Sequence, residues 1–308
     1  MSAKTICLAS SNKPAQLIKN NMTEIPMNLF EIISQSVMRP ILAPILTPFT
    51  AADPMEQFQI VPLAPLEIMG LDISFTNSSL WMVLSVLVAM AFFILSTRGR
   101  ALIPGRAQSV AELLYEFIAD MVRGAIGPEG MKFFPYVFTL FIFVLMNNLL
   151  GLLPSIPGAP HGLHTFTPTS HIIVTFALAM MSIAIVIIYG FYKNGLGFFK
   201  LFAPSGVPLW LLPLIVLIEF ISFLSRPVSL AIRLFANMLA GHIILKVFAT
   251  FVISLLGAGA IFKGIAILPM LGIIAVMMLE ILVAFLQAYV FAILTCIYLN
   301  DAEHADAH

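Results

Sequence analysis

Long apolar runs separated by short polar punctuation dominate the chain from residue 80 onwards. Residues 80–96 form the first, between Asn77-Ser78-Ser79 and the cations Arg98, Arg100 and Arg106. Residues 133–153 and 172–192 form two more. Each approaches the length of about 20 apolar residues that crosses a hydrocarbon core. The last two runs, 207–253 and 266–299, are longer. A helix of about 45 residues is a rod of roughly 65–70 Å, about twice the hydrocarbon thickness. Such a helix in a membrane must tilt, bend or break. Pro227 could split the first rod into two spans, giving six crossings; a steeply tilted helix hairpin gives five.

Residues 109–126 follow another rule. Val110, Leu113, Leu114, Phe117, Ile118, Met121 and Val122 recur at helical spacing, with Glu112, Glu116, Asp120 and Arg123 on the other face. This predicts an amphipathic helix on the inner membrane surface, or one that binds a partner. The cations orient the rest. Arg98, Arg100 and Arg106 follow the first span, Lys132 precedes the second, and Lys193 and Lys200 follow the third, whereas 154–170 holds no Lys or Arg. The cationic side is the inner one. Residues 1–54, with scattered polar residues and Pro40, Pro44, Pro48 and Pro54, read as a disordered or removable extension, or as sequence before a true start at Met55. The membrane domain is then 55–308.

Composition agrees with lipid as the solvent. The chain is 60% hydrophobic and 10% charged, against about 45–50% and about 25% in soluble domains. A formal net charge of zero gives no electrostatic reason to expect nucleic acid. The two cysteines make no metal-ligand spacing, and no Gly-rich phosphate loop is present, so neither metal nor cofactor is expected. The fold class is all-α and polytopic.

The candidate chemistry lies in the two long rods. Between Glu129 and Asp301 the only acids are Glu219 and Glu280, and the same rods hold Arg226, Arg233, His242 and Lys246. A charge at the bilayer centre costs at least about 2.5–3.5 kcal/mol, so such residues default to ion or proton paths, with internal ion pairs as the plainer reading. Arg233 is a permanent cation. It cannot relay a proton, but it attracts a carboxylate and repels protons. Glu219, Ser222, Ser229 and Asn237 share its side of the helix, although Glu219 lies about 21 Å away along the axis. Glu280 and Gln287, seven residues apart, share a face of the last rod. His242 and Glu280 are suited to pass a proton, with unperturbed pKa values near 6.5 and 4.3. A proton-coupled transporter and a membrane anchor are the competing classes.

The stretch Ser225-Arg226-Pro227-Val228-Ser229-Leu230-Ala231-Ile232-Arg233-Leu234-Phe235-Ala236-Asn237-Met238-Leu239-Ala240-Gly241-His242 resembles the signature helix of subunit a (subunit 6) of the F-type ATP synthase. Leu286-Gln287-Ala288-Tyr289-Val290-Phe291 and Ile297-Tyr298-Leu299-Asn300-Asp301 resemble that family's last helix, and weaker likeness runs through Phe75-Thr76-Asn77-Ser78-Ser79 and Thr169-Ser170-His171. The order of His242 before Glu280 is that of alphaproteobacterial and mitochondrial members. The resemblance implies a non-catalytic, proton-translocating stator subunit beside a rotating c-ring, with two half-channels. Arg233 matches the family's essential arginine. Glu219 and Ser229 match the inner half-channel, and Asn237, His242, Glu280 and Gln287 the outer one. Gly151 stands where some members carry an acid, so Asn148, His171 or water would serve the outer entrance. The family's long tilted helices favour five crossings. Further implied partners are subunit b of the peripheral stalk and, indirectly, the F1 sector, which carries the ATP chemistry. The implied location is a bacterial inner membrane, with the mitochondrial inner membrane as the alternative.

Overall fold

The computed structural model describes residues 60–64, 67–68, 71–72, 74–99, 104–153, 166–202, 210–258 and 260–304. The expected extension 1–54 lies outside the described residues. Two short antiparallel pairs come first: β1 (Pro62–Ala64) with β4 (Phe75–Thr76), and β2 (Glu67–Ile68) with β3 (Leu71–Asp72). Helix α1 (Asn77–Thr97) starts where Thr76 Oγ1 accepts the Ser79 amide at 3.4 Å. This is the side-chain cap that a free helix start favours. The Asn77 carboxamide ties the strand pair to this helix, accepting the Val61 amide at 3.3 Å.

The burial pattern of α1 is inverted relative to a soluble helix. Ser85, Ala89 and Ser96 are buried while Leu87, Met90, Ile94 and Leu95 are exposed. Small residues let helices approach each other in lipid, and the bulky apolar ones face outwards. Ser85 Oγ satisfies itself on the Met82 carbonyl at 2.7 Å.

Helix α2 (Arg106–Ile126) is the amphipathic helix. Its apolar face divides. Ile118, Met121 and Val122 are buried, whereas Val110 and Leu113 are 51% and 67% exposed. Rings join α2 to two spans: Tyr115 packs on Phe134 at 4.7 Å, and Phe117 on Phe141 and Phe285 at 6.0 and 5.7 Å. A 3-10 turn (Pro128–Phe133) leads into α3 (Phe134–Gly151), the central helix, with Val137, Phe141, Val144, Asn147 and Asn148 fully buried. A second turn, Pro168–Ser170, precedes α4 (Ile172–Asn194), and Tyr136 of α3 donates to Ser182 of α4 at 2.9 Å.

Helix α5 (Leu212–Gly257) runs 46 residues without a break at Pro227, about 70 Å at helical rise. The split into two spans does not occur. Pro227 removes one backbone donor, and the turns on either side hold the helix through it. After the short α6 (Ala260–Ile265), α7 (Ile267–Glu303) runs 37 residues. Among the described residues five helices are long and apolar enough to cross a membrane, and the last two form a long C-terminal pair.

The chain divides into two compact units. Among the described residues, one comprises 60–246 with 272–304, and the other 247–271. Within the first, α5 and α7 lie antiparallel. Arg226 reaches Asp301, and fifteen positions on, Gly241 abuts Glu280.

Candidate functional site

The two sides of α5 differ in character. Phe223, Pro227, Leu230, Ala231, Leu234, Met238 and Gly241 form the buried stripe. The exposed side presents Leu217, Ile221, Leu224, Val228, Ser229, Ile232, Arg233, Ala236 and Ala240. Arg233 thus projects from an apolar surface, and it forms no hydrogen bond or ion pair with any described residue. A guanidinium keeps its charge in any protein setting. Ser229 is exposed one turn earlier and Asn237 is half-buried one turn later. Small side chains around the arginine allow a neighbouring helix to come close.

Towards the N-terminal end of α5 lies a cluster around Arg226. Its guanidinium donates to Asp301 of α7 at 3.1 Å and stands 3.6 Å from Glu219. The Tyr298 and Phe223 rings lie 5.2 and 5.9 Å from its central carbon. Glu219 therefore pairs with Arg226, two turns away on its own face, and not with Arg233. The sequence marks Arg226 as an intramembrane charge but not its pairing with Asp301, because the pair spans 75 positions and depends on helix register.

Towards the other end lies a second polar cluster. Glu280 is 5% exposed, and its Oε2 meets no hydrogen-bond partner among the described residues. Gly241 admits it: a Cβ at that position would coincide with the carboxylate. The adjacent His242 places Nε2 2.8 Å from Thr167 Oγ1. Thr167 in turn occupies the space beside Gly151, where a Cβ would strike its side chain. Thr169 donates to Asn148 Oδ1 at 2.7 Å, and Asn148 Nδ2 reaches the Ala284 carbonyl at 3.4 Å. Gln287 is half-buried two turns beyond Glu280. His171 stacks on Phe166 with centroids 4.8 Å apart, and burial lowers its pKa, favouring the neutral ring.

The structure thus brings His242, Glu280 and Asn148 to one region through Thr167, Thr169, Gly241 and Ala284, and holds Glu219 in another. Thr167 and Thr169 sit on an irregular turn whose sequence carries no periodic signal. Arg233 stands on the exposed face of the helix that links the two regions. One region offers a carboxylate pair sharing a cation, and the other a carboxylate and an imidazole. Both can accept and release protons, whereas Arg233 can only attract or repel.

Comparisons with known proteins identify the family. The family model described as ATP synthase A chain matches residues 79–300. The chain is 61% identical over 254 residues to ATP synthase subunit a of Chelativorans sp. (strain BNC1), covering 82% of this chain and 98% of that one. It is 60% identical over 252 residues to the subunit a of Mesorhizobium japonicum, covering 82% and 96% of the two chains. It is 59% identical over 256 residues to that of Rhizobium leguminosarum bv. trifolii, covering 83% and 99%. These relatives are alphaproteobacterial. With its five apolar helices the chain is an integral membrane protein, and it belongs to the ATP synthase subunit a family.

Proposed function

We propose that this chain is the proton-translocating stator subunit of the membrane sector of ATP synthase, in a bacterial inner membrane. The observation that carries the reading is Arg233: a permanent cation on an exposed apolar face, with two proton-accepting clusters displaced towards opposite ends of its helix. A fixed cation facing lipid would be strongly unfavourable. Facing a ring of c subunits, each with a mid-membrane carboxylate, it gains a counter-charge that changes identity at every step.

The steps follow from charge. A protonated rotor carboxyl crosses lipid as a neutral group. Near Arg233 it loses its proton, because an adjacent cation favours the ionised form. The proton leaves through the inner group, Glu219, Ser229 and the Arg226–Asp301 pair. A new proton arrives through the outer group, Asn237, His242, Glu280 and Gln287, fed past Asn148 and His171. Arg233 itself never titrates, so it repels protons from the direct path between the two groups. Each charge crossing is worth about 2.3 kcal/mol per 100 mV. Several crossings must be summed for one ATP, whose synthesis takes place on a separate soluble sector. Subunit b would hold this chain against the turning ring.

Replacement of Arg233 by Ala in the complete enzyme, reconstituted in vesicles, tests the reading. ATP-driven proton pumping is expected to vanish while the complex still assembles. Pumping at the normal rate would remove the proposal.

A further inference from the structure

The C-terminal end of α7 is gripped on two sides. On one, Asp301 accepts from Arg226 of α5. Two residues on, about 200° around the helix, Glu303 faces the other way. Its side chain is 1% exposed and is held by four donations from three groups. Lys132 Nζ reaches its two oxygens at 2.9 and 2.8 Å, Lys193 Nζ reaches Oε1 at 2.6 Å, and Tyr189 OH reaches Oε2 at 2.6 Å. Lys132 also donates to Tyr189 OH at 2.6 Å. The last carbonyls of the helix are taken as well: Lys193 Nζ donates to the Glu303 carbonyl at 2.8 Å, and Asn194 Nδ2 to the Ala302 carbonyl at 2.7 Å. Cations at a helix C-terminus satisfy orphan carbonyls and suit the helix dipole.

These partners come from the turn before α3 and from the end of α4, distant in sequence from α7. A helix end tends to fray. Here the fray would carry Asp301 away from Arg226 and leave that guanidinium to Glu219 alone. We propose that Glu303 is a positioning residue for the inner proton pathway: it fixes the last turn of α7 to the α3 and α4 side of the bundle, so that Asp301 stays at Arg226. This inference rests on the functional reading above.

The test uses the complete enzyme in vesicles, with ATP-driven pumping measured per assembled complex. Glu303→Gln and Asp301→Asn are each expected to slow pumping about ten-fold, with the double variant no slower than the slower single one. Glu303→Asp is expected to recover at least about half of the rate, since it keeps the charge that the two lysines need. Losses that multiply in the double variant would overturn the inference, as would normal pumping by Glu303→Gln, or a silent Asp301→Asn beside an impaired Glu303→Gln. Where Glu303→Gln prevents assembly, Tyr189→Phe replaces it. It removes two hydrogen bonds, the one given to Glu303 and the one taken from Lys132, and no charge, and a loss of about two- to three-fold is expected that disappears on the Asp301→Asn background; persistence of that loss would overturn the inference. The Arg233→Ala variant separates the two levels. If it pumps, the functional reading fails. If it does not pump and the losses at 301 and 303 multiply, only the role of Glu303 fails.

Discussion

Gly241 on α5 and Glu280 on α7 share a space that cannot hold one more methyl group, because a Cβ at 241 would lie within the Glu280 carboxylate. The acid is buried, and its fit depends on the absence of a side chain opposite. Gly241→Ala therefore forces the carboxylate to move, at about 1–3 kcal/mol for overpacking. We expect at least about a ten-fold loss of ATP-driven pumping, with a lower melting temperature of the complex. Gly124→Ala is the control. Nothing lies within 4 Å of its added Cβ, and in a helix interior alanine is favoured over glycine by about 1 kcal/mol. Equal behaviour of the two variants in vesicle pumping would show that the Gly241 contact is unimportant.

The neighbouring His242 raises the question of whether imidazole and carboxylate form one relay. Both side chains can take up and release a proton, and both sit at the same end of the helix pair. If the proton needs one basic and one acidic group irrespective of which helix carries which, then exchanging them preserves function. The His242→Glu, Glu280→His double variant should make ATP faster than either His242→Ala or Glu280→Ala. Rates of ATP synthesis that are equally poor in all three would argue for two independent roles.

Thr167 holds the imidazole from outside the helix pair, at 2.8 Å from Nε2. Its side chain is in turn confined by Gly151. Thr167→Val keeps the shape and removes the hydroxyl, a loss of about 0.5–1.5 kcal/mol for one hydrogen bond. The ring would then lose this contact, and we expect ATP synthesis to fall about three- to ten-fold. Thr167→Ser retains the oxygen and should stay near the parent rate. Indistinguishable rates for Val and Ser would mean that the hydroxyl contributes only packing.

Much of this could be read from the chain before any coordinates. The apolar runs predicted spans at 80–96, 133–153 and 172–192, and helices occur at Asn77–Thr97, Phe134–Gly151 and Ile172–Asn194. The two over-length helices and Arg233 were legible because length and permanent charge are local properties. Four features were not. Periodicity marked the apolar face of α2 but could not tell lipid from protein, and Phe117 and Ile118 turn out to face other helices. Strands of two or three residues are too short to show alternation. The Arg226–Asp301 contact depends on antiparallel register across 75 positions. The burial of Glu303 left no local signal, because its lysine partners lie 110 and 171 residues away.

Arg226 offers the sharpest contrast with Arg233, since the two sit seven residues apart on one helix and differ in what surrounds them. Arg226 already has anions, Asp301 at 3.1 Å and Glu219 at 3.6 Å, and aromatic rings against its plane. Its charge is needed to keep two carboxylates close together, but that need is met by any cation that reaches one of them. Lysine can do so as a point charge, without the planar fork that spans both. Arg226→Lys should therefore pump at an intermediate rate, and Arg226→Gln about ten-fold more slowly than the parent, because the like charges then face each other unshielded. On the proposed function the counter-charge at Arg233 belongs to a passing rotor, and a lysine near a desolvated acid can give up its proton where arginine cannot. Arg233→Lys should thus fail as completely as Arg233→Ala. Vesicle pumping by the four variants decides the matter: normal pumping by Arg226→Gln would exclude its cluster from the pathway, and efficient pumping by Arg233→Lys would show that a permanent charge is not what that position requires.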